Sequence, residues 1–195
     1  MVKINKVLIG RRLFLGITLI LLLILTGGAS ADVSQGWTSG GQGGNLDFGT
    51  GLLKMTFSHG EPFDPWIEND AAIKTDKAHY LAMRIRLTDA PSPVPFAFYI
   101  RPAEDGGSWN PKCIEFSVVP TGDWQIIRTN ISSKLWQGEQ QIRIDPAERE
   151  HTPQNADKYL KTVMEIEWIA LTDNSDFDGL SIKETDIVWE FTSKK

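Results

Sequence analysis

Apolar and polar residues alternate in short segments that recur through the chain from residue 52 onward. In the clearest segment, Tyr80–Thr88, four apolar side chains would share one face of an extended strand, while Tyr80, Arg84 and Arg86 would share the other. Segments of the same period are Leu52–Ser58, Phe96–Pro102, Cys113–Val119, Trp124–Ile131, Gln140–Asp145, Val163–Leu171 and Ile187–Thr192. Because proline and glycine separate these segments, the pattern predicts an all-β fold: a two-sheet antiparallel β-sandwich of the jelly-roll kind.

The remaining segments lack this period. Residues 32–50 are rich in glycine, and each glycine inside a helix costs about 1 kcal/mol. We therefore expect a lead-in loop there, with a short strand at Gly36–Thr38 at most. Helical turns are predicted near Ala71–Lys77 and Asn155–Lys161, as decorations between strands.

The first 31 residues have the composition of a secretory signal peptide. Lysine and arginine occur early, Leu13–Leu25 is almost entirely apolar, and Ala29-Ser30-Ala31 offers a small-x-small cleavage site. The apolar run is shorter than the roughly 20 residues that a membrane-spanning helix needs. The sequence thus predicts cleavage after Ala31, a single domain over residues 32–195, and a secreted or periplasmic location; an uncleaved signal anchor is the alternative.

Charge and cysteine content narrow the function classes. The whole chain has a formal net charge of −5, and removing the four basic residues of the leader makes the remainder more acidic still. General binding to nucleic acid or to an anionic membrane is therefore disfavoured. Cys113 is the only cysteine, which excludes an intramolecular disulfide and a zinc site built on several thiolates.

Four motifs occur in a fixed order in the second half of the chain. They are Asp123-Trp124-Gln125, Leu135-Trp136-Gln137-Gly138, Ile142-Arg143-Ile144-Asp145-Pro146 and Ile166-Glu167-Trp168-Ile169-Ala170-Leu171. This series, within residues 80–172, resembles the galactose-binding-like jelly rolls of bacterial carbohydrate-binding modules. The resemblance implies a secreted, non-catalytic domain that binds a polysaccharide or glycan.

Candidate ligand-binding residues follow from the alternation of side chains along each strand, because successive residues point to opposite faces of the sheet. If the apolar positions face the core, polar and aromatic side chains face outward, and Trp66 and Trp109 lie among turn residues. Aromatic rings stack on sugars, while carboxylates and guanidinium groups bind hydroxyls or a uronate. The alternative is cross-strand arginine–glutamate pairing on a solvated face. The candidates are Trp66, Arg84, Arg86, Tyr99, Arg101, Trp109, Arg143, Glu165 and Glu167.

Metal binding and catalysis have weaker signals. Asp173, Asp176 and Asp178 could hold a structural calcium ion through oxygen, or could form an ordinary turn in which aspartate side chains bond the backbone. Glu165 and Glu167 would point the same way, about 7 Å apart, within the span that glycosidases use. A small glycan hydrolase or lyase is thus one alternative function, and an envelope-associated structural or adhesive protein is another.

Overall fold

A computed structural model describes residues 34–48, 51–60, 63–74, 78–104, 108–109, 113–131, 138–148 and 157–191, all within one compact unit of residues 32–195. The strands of this part are β1 (Trp37–Gly40), β2 (Gly44–Asp47), β3 (Leu53–Phe57), β4 (Trp66–Lys74), β5 (Tyr80–Thr88), β6 (Val94–Pro102), β7 (Ile114–Val118), β8 (Gln125–Asn130), β9 (Glu139–Pro146), β10 (Val163–Thr172) and β11 (Ile187–Glu190). One helical turn, residues 157–159, lies between β9 and β10.

The strands form two sheets in which the strand pairs run antiparallel. Sheet A has the order β1-β4-β9-β6-β7, and sheet B has the order β2-β3-β10-β5-β8. Strand β11 pairs with β10 beyond the end of β3 on the same edge. The predicted two-sheet antiparallel β-sandwich is thus confirmed.

The core lies between the sheets and follows the predicted alternation. Leu81, Met83, Ile85 and Leu87 of β5 are buried, as are the inward residues Phe96, Phe98 and Ile100 of β6. Fully burying a side chain of this kind contributes about 1.5–3 kcal/mol. The outward positions on the same strands are therefore fixed by the burial of their neighbours.

Strand β4 was not predicted. The sequence placed Trp66 in a loop and a helical turn at Ala71–Lys77, but Trp66 begins β4, and the strand continues to Lys74. The alternation breaks because the Asn69 side chain accepts a hydrogen bond from the Ala71 backbone N–H at 3.0 Å, and the register shifts between Asn69 and Ile73. Because of this irregularity, a search for alternating apolar and polar residues does not detect the strand.

Other predictions have mixed outcomes. The lead-in was expected to be a loop over most of residues 32–50, but it forms β1 and β2. The helical prediction at Asn155–Lys161 agrees with the turn at residues 157–159. The signal peptide (1–31) and Trp136 lie outside the described residues. Within the described part of the chain, no helix is long and apolar enough to cross a membrane.

Candidate ligand-binding face

Outward residues of three neighbouring strands meet on the outer face of sheet A. Arg143 of β9 lies opposite Glu68 of β4 on one side and opposite Tyr99 of β6 on the other. Arg101 lies opposite Gln141 in the adjacent row. The pairing of these three strands therefore brings together candidate residues that are up to about 80 positions apart in the chain.

Three aromatic rings surround the guanidinium of Arg143. Its central carbon lies 4.8 Å from the ring centre of Trp66, 5.7 Å from that of Tyr99 and 6.0 Å from that of Trp109. All three rings are half-buried. We call this group, together with Arg101, the aromatic face.

Two carboxylates hold Arg143 in place. Its Nε donates a hydrogen bond to Asp145 Oδ1 at 2.6 Å, its Nη2 donates to Asp145 Oδ2, and Nη2 lies 3.7 Å from Asp64 Oδ1. The Arg143 side chain is 16% exposed and that of Asp145 only 3%. The guanidinium is thus a fixed feature of the face, since a two-point bond also sets its plane.

Burial changes the ionisation of this pair. Burial raises the pKa of Asp145 to about 7, although the hydrogen bonds from Arg143 oppose the shift. For Arg143, burial alone would lower the pKa, but the hydrogen bonds to Asp145 raise it above its usual value. The guanidinium therefore stays charged, while the carboxyl gains or loses its proton near neutral pH.

Arg101 is held in a second network beside the first. Its guanidinium lies 4.2 Å from the ring centre of Trp109, its Nε donates to Gln141 Oε1 at 2.6 Å, and its Nη2 lies 3.7 Å from Asp70 Oδ1. Gln141 in turn donates to the Asp70 carbonyl oxygen at 2.8 Å. Trp109, which comes from the segment between β6 and β7, is therefore positioned by a residue of the sheet.

The Trp66 ring lies against glycine backbone. Gly40 is its partner across β1 and β4, and a Cβ added at Gly40 would lie 1.9 Å from the ring. A Cβ at Gly41, whose φ is +69°, would lie 2.9 Å from the ring and 1.7 Å from the Asp64 carbonyl oxygen. The glycines of the lead-in thus allow the ring to lie flat on the edge of the sheet.

The far side of the aromatic face is desolvated and acidic. Burial, with the Glu148 carboxylate as a further cause, raises the pKa of Tyr99 so strongly that the phenol keeps its proton. Burial also raises the pKa of Cys113 beside it. On the opposite side of Arg143, burial raises the pKa of Glu68, and the Asp70 carboxylate acts in the same direction. In this environment the tyrosine hydroxyl is a hydrogen-bonding group rather than an anion.

The other four ligand candidates lie on the outer face of sheet B. Arg84 Nη1 donates to Glu167 Oε2, and Arg86 donates to Glu165 Oε2 through Nε at 2.8 Å. Both guanidiniums also lie over the Trp124 ring, at 5.3 and 4.9 Å. This group, which we call the paired face, has the cross-strand pairing that the sequence offered as the alternative to sugar binding.

The three aspartates proposed for calcium have other contacts. Asp173 Oδ1 accepts a hydrogen bond from Lys183 Nζ at 2.7 Å, and Asp178 Oδ1 accepts one from the Leu180 N–H at 2.8 Å. The Asp176 N–H donates to Asn174 Oδ1 at 3.0 Å. Among the described residues, no three histidine, cysteine, aspartate or glutamate side chains are grouped closely enough to hold a metal ion. Calcium binding at these residues stays a prediction.

Several residues of the aromatic face were absent from the sequence candidates. Asp145 was predicted to face outward with Arg143, but Asp64, Glu68, Asp70 and Gln141 were not singled out. A signal existed for two of them, because Trp66, Glu68 and Asp70 alternate along β4. Nothing in the sequence indicates that Asp64, which lies before the strand, approaches Arg143.

Comparisons with known proteins identify similar solved structures. No family model matches the chain, and no curated protein matches it. Two mutants of family 29 carbohydrate-binding modules align with TM-scores of 0.48, at 11% and 12% identity, over 75% of this chain and 89% of theirs. A third mutant of such a module, complexed with cellulohexaose, aligns with a TM-score of 0.42 at 11% identity, over 67% of this chain and 77% of its own. The likeness concerns the fold alone.

Proposed function

We propose that this protein is an exported, non-catalytic domain that binds a polysaccharide or glycan through the aromatic face. The observation that carries the proposal is the grouping of Trp66, Tyr99 and Trp109 around the guanidinium of Arg143. Aromatic rings offer flat apolar surfaces to the C–H faces of sugars, and nearby polar groups bind hydroxyls. On the outer face of sheet B, both guanidiniums lie over the Trp124 ring, and Trp168 is buried against Phe177.

Rigidity of the aromatic face supports a binding role. The Trp66 ring rests on the backbone of Gly40, and the Trp109 ring lies against Arg101, so both rings are held before a ligand arrives. A binding surface that is already ordered avoids the entropy cost of ordering its side chains on association.

Asp145, the carboxylate bonded to Arg143, supports binding rather than catalysis. Asp145 is almost fully buried and bonded at both oxygens to Arg143. A glycosidase needs a pair of carboxyl groups that can reach the glycosidic bond from two sides. Export is supported by the basic, apolar and small-residue segments of residues 1–31.

A glycan array probed with the domain of residues 32–195 tests the proposal. We expect binding to at least one polysaccharide class, and we expect Trp109→Ala to weaken it by about tenfold or more, since a central aromatic contact is commonly worth more than 1 kcal/mol. Trp124→Ala on the paired face is the matched control and should bind as the wild type does. No binding to any glycan, or equal losses in both variants, would contradict the proposal; release of sugar products would favour the hydrolase or lyase.

Thermal unfolding with added calcium, and with a chelator, tests calcium binding. We expect Asp173, Asp176 and Asp178 to contribute to stability if calcium is bound there, because a ligand that binds only the folded state raises the melting temperature. An unchanged melting temperature with and without added calcium would remove this prediction and leave the glycan proposal in place.

A further inference from the structure

In the part of the chain that the structure describes, carboxylates outnumber cationic groups on and around the aromatic face. Each one is placed there by a contact with the face, by the parity of its strand, or by its field at Tyr99 and Asp145. Among the described residues, the acidic groups are Asp64, Glu68, Asp70, Glu115, Glu139, Asp145 and Glu148, and the basic groups are Lys74, Arg101 and Arg143.

Both guanidiniums are engaged with groups of the protein itself. Arg143 is bonded at two points to Asp145 and approached by Asp64, and Arg101 is bonded to Gln141 and approached by Asp70. A uronate or sulfate on a ligand would have to displace these partners and then lie beside the carboxylates that remain. Like charges placed together across an interface oppose binding.

The surrounding carboxylates affect the ionisation of Asp145 within the aromatic face. Burial is the main reason that the pKa of Asp145 is raised, but the Glu148 and Asp64 carboxylates act in the same direction. A positive group on a ligand would therefore meet a favourable influence from the surrounding carboxylates, where a negative group meets an unfavourable one.

We propose that the aromatic face selects its glycan by charge, so that affinity for one sugar backbone rises from its carboxylated form, through the uncharged form, to the amino-bearing form. This inference rests on the proposed glycan-binding function and adds the class of sugar that the face takes. The recognised groups are the hydroxyls and amines of a chain without acidic substituents.

The experiment uses a glycan array that carries each backbone in uncharged, C6-carboxylated and amino forms. We expect about a tenfold difference in affinity between the carboxylated and amino forms, because several partly exposed charge contacts act together. The difference should shrink as salt is raised from 0.05 to 0.5 M, since mobile ions screen exposed charges.

Charge variants locate the effect. Asp70→Asn removes a carboxylate that is 60% exposed at its side chain, and it should reduce the ratio of affinities for the amino and carboxylated forms. Glu184→Gln, in the segment between β10 and β11, makes the same charge change elsewhere and should leave the ratio unchanged. Equal or tighter binding of the carboxylated form, or equal changes in both variants, would overturn charge selection while leaving glycan binding intact. Binding of no form would overturn both proposals.

Discussion

The two outer faces of the sandwich contain the same kinds of residue but differ in how these are arranged. On the paired face, Arg84 and Arg86 each have a glutamate partner across the strands, and both lie over the Trp124 ring. On the aromatic face, three rings surround the guanidinium of Arg143, whose side chain is 16% exposed, and carboxylates outnumber basic groups among the described residues. The two faces thus differ in how many rings each guanidinium contacts and in how deeply it is held.

The largest effect that separates the faces is expected from removing a buried guanidinium. Arg143→Met leaves Asp145 buried without its partner, and we expect the free energy of unfolding to fall by about 3 kcal/mol. Arg84→Met, on the more exposed pair, should cost less than about 1 kcal/mol. Urea unfolding of both variants measures the difference, and equal losses would show that the two arginines are equivalent in the fold.

The next effect concerns the glycine under Trp66. Gly40→Ala places a Cβ within 1.9 Å of the ring, and overpacking of this kind costs about 1–3 kcal/mol. The same substitution in a Trp66→Ala background should cost little, because the ring is gone. A double-mutant cycle by urea unfolding measures the coupling, and additive losses would contradict direct contact as the cause.

Another difference is expected from pH, spread between about pH 4 and pH 7. The pKa of Asp145 rises from 3.8 to about 7 on folding, so the folded chain holds this proton more tightly. Its contribution to stability is fully present below about pH 4 and is lost as pH rises through 7, by at most about 1.4 kcal/mol per pH unit. Asp145→Asn should remove this component of the unfolding profile, whereas Glu165→Gln on the paired face should retain it.

The smallest effect is expected from breaking a pair on the paired face. Glu167→Gln removes the charge that faces Arg84, whose side chain is 38% exposed, and exposed pairs contribute about 0.2–1 kcal/mol. We expect a loss in this range that disappears in high salt. A loss of several kcal/mol would mean that the paired face is structurally as demanding as the aromatic face.

Strands with unbroken alternation were predicted well from the sequence. The predicted and observed bounds of β5 coincide at Tyr80–Thr88, because burial of every second residue leaves a direct trace in the sequence. Strand β4 was missed because the Asn69 side chain accepts a hydrogen bond from the Ala71 backbone N–H, and the register shifts between Asn69 and Ile73. Alternation of apolar and polar residues along a strand indicates which side chains are buried. It does not indicate a register shift that the neighbouring strand accommodates.

The candidate site was predicted only in part for a similar reason. Parity predicted that Tyr99, Arg101 and Arg143 face outward, yet it gave Arg84 and Arg86 the same status. The two sets are separated by the order of strands in the sheets, which brings β4 beside β9 and β5 beside β10. Contacts between strands that are distant in sequence cannot be deduced from the period of one strand.

The ring contact between Trp37 of β1 and Trp189 of β11 has a consequence for how the domain is made. These rings meet edge to face at 5.5 Å within the core, so the first and last described strands are packed together. During synthesis the ribosome must deliver β11 before this part of the interior can close. Such long-range pairing slows folding, and a nascent chain that stops before β11 would leave Trp37 facing solvent.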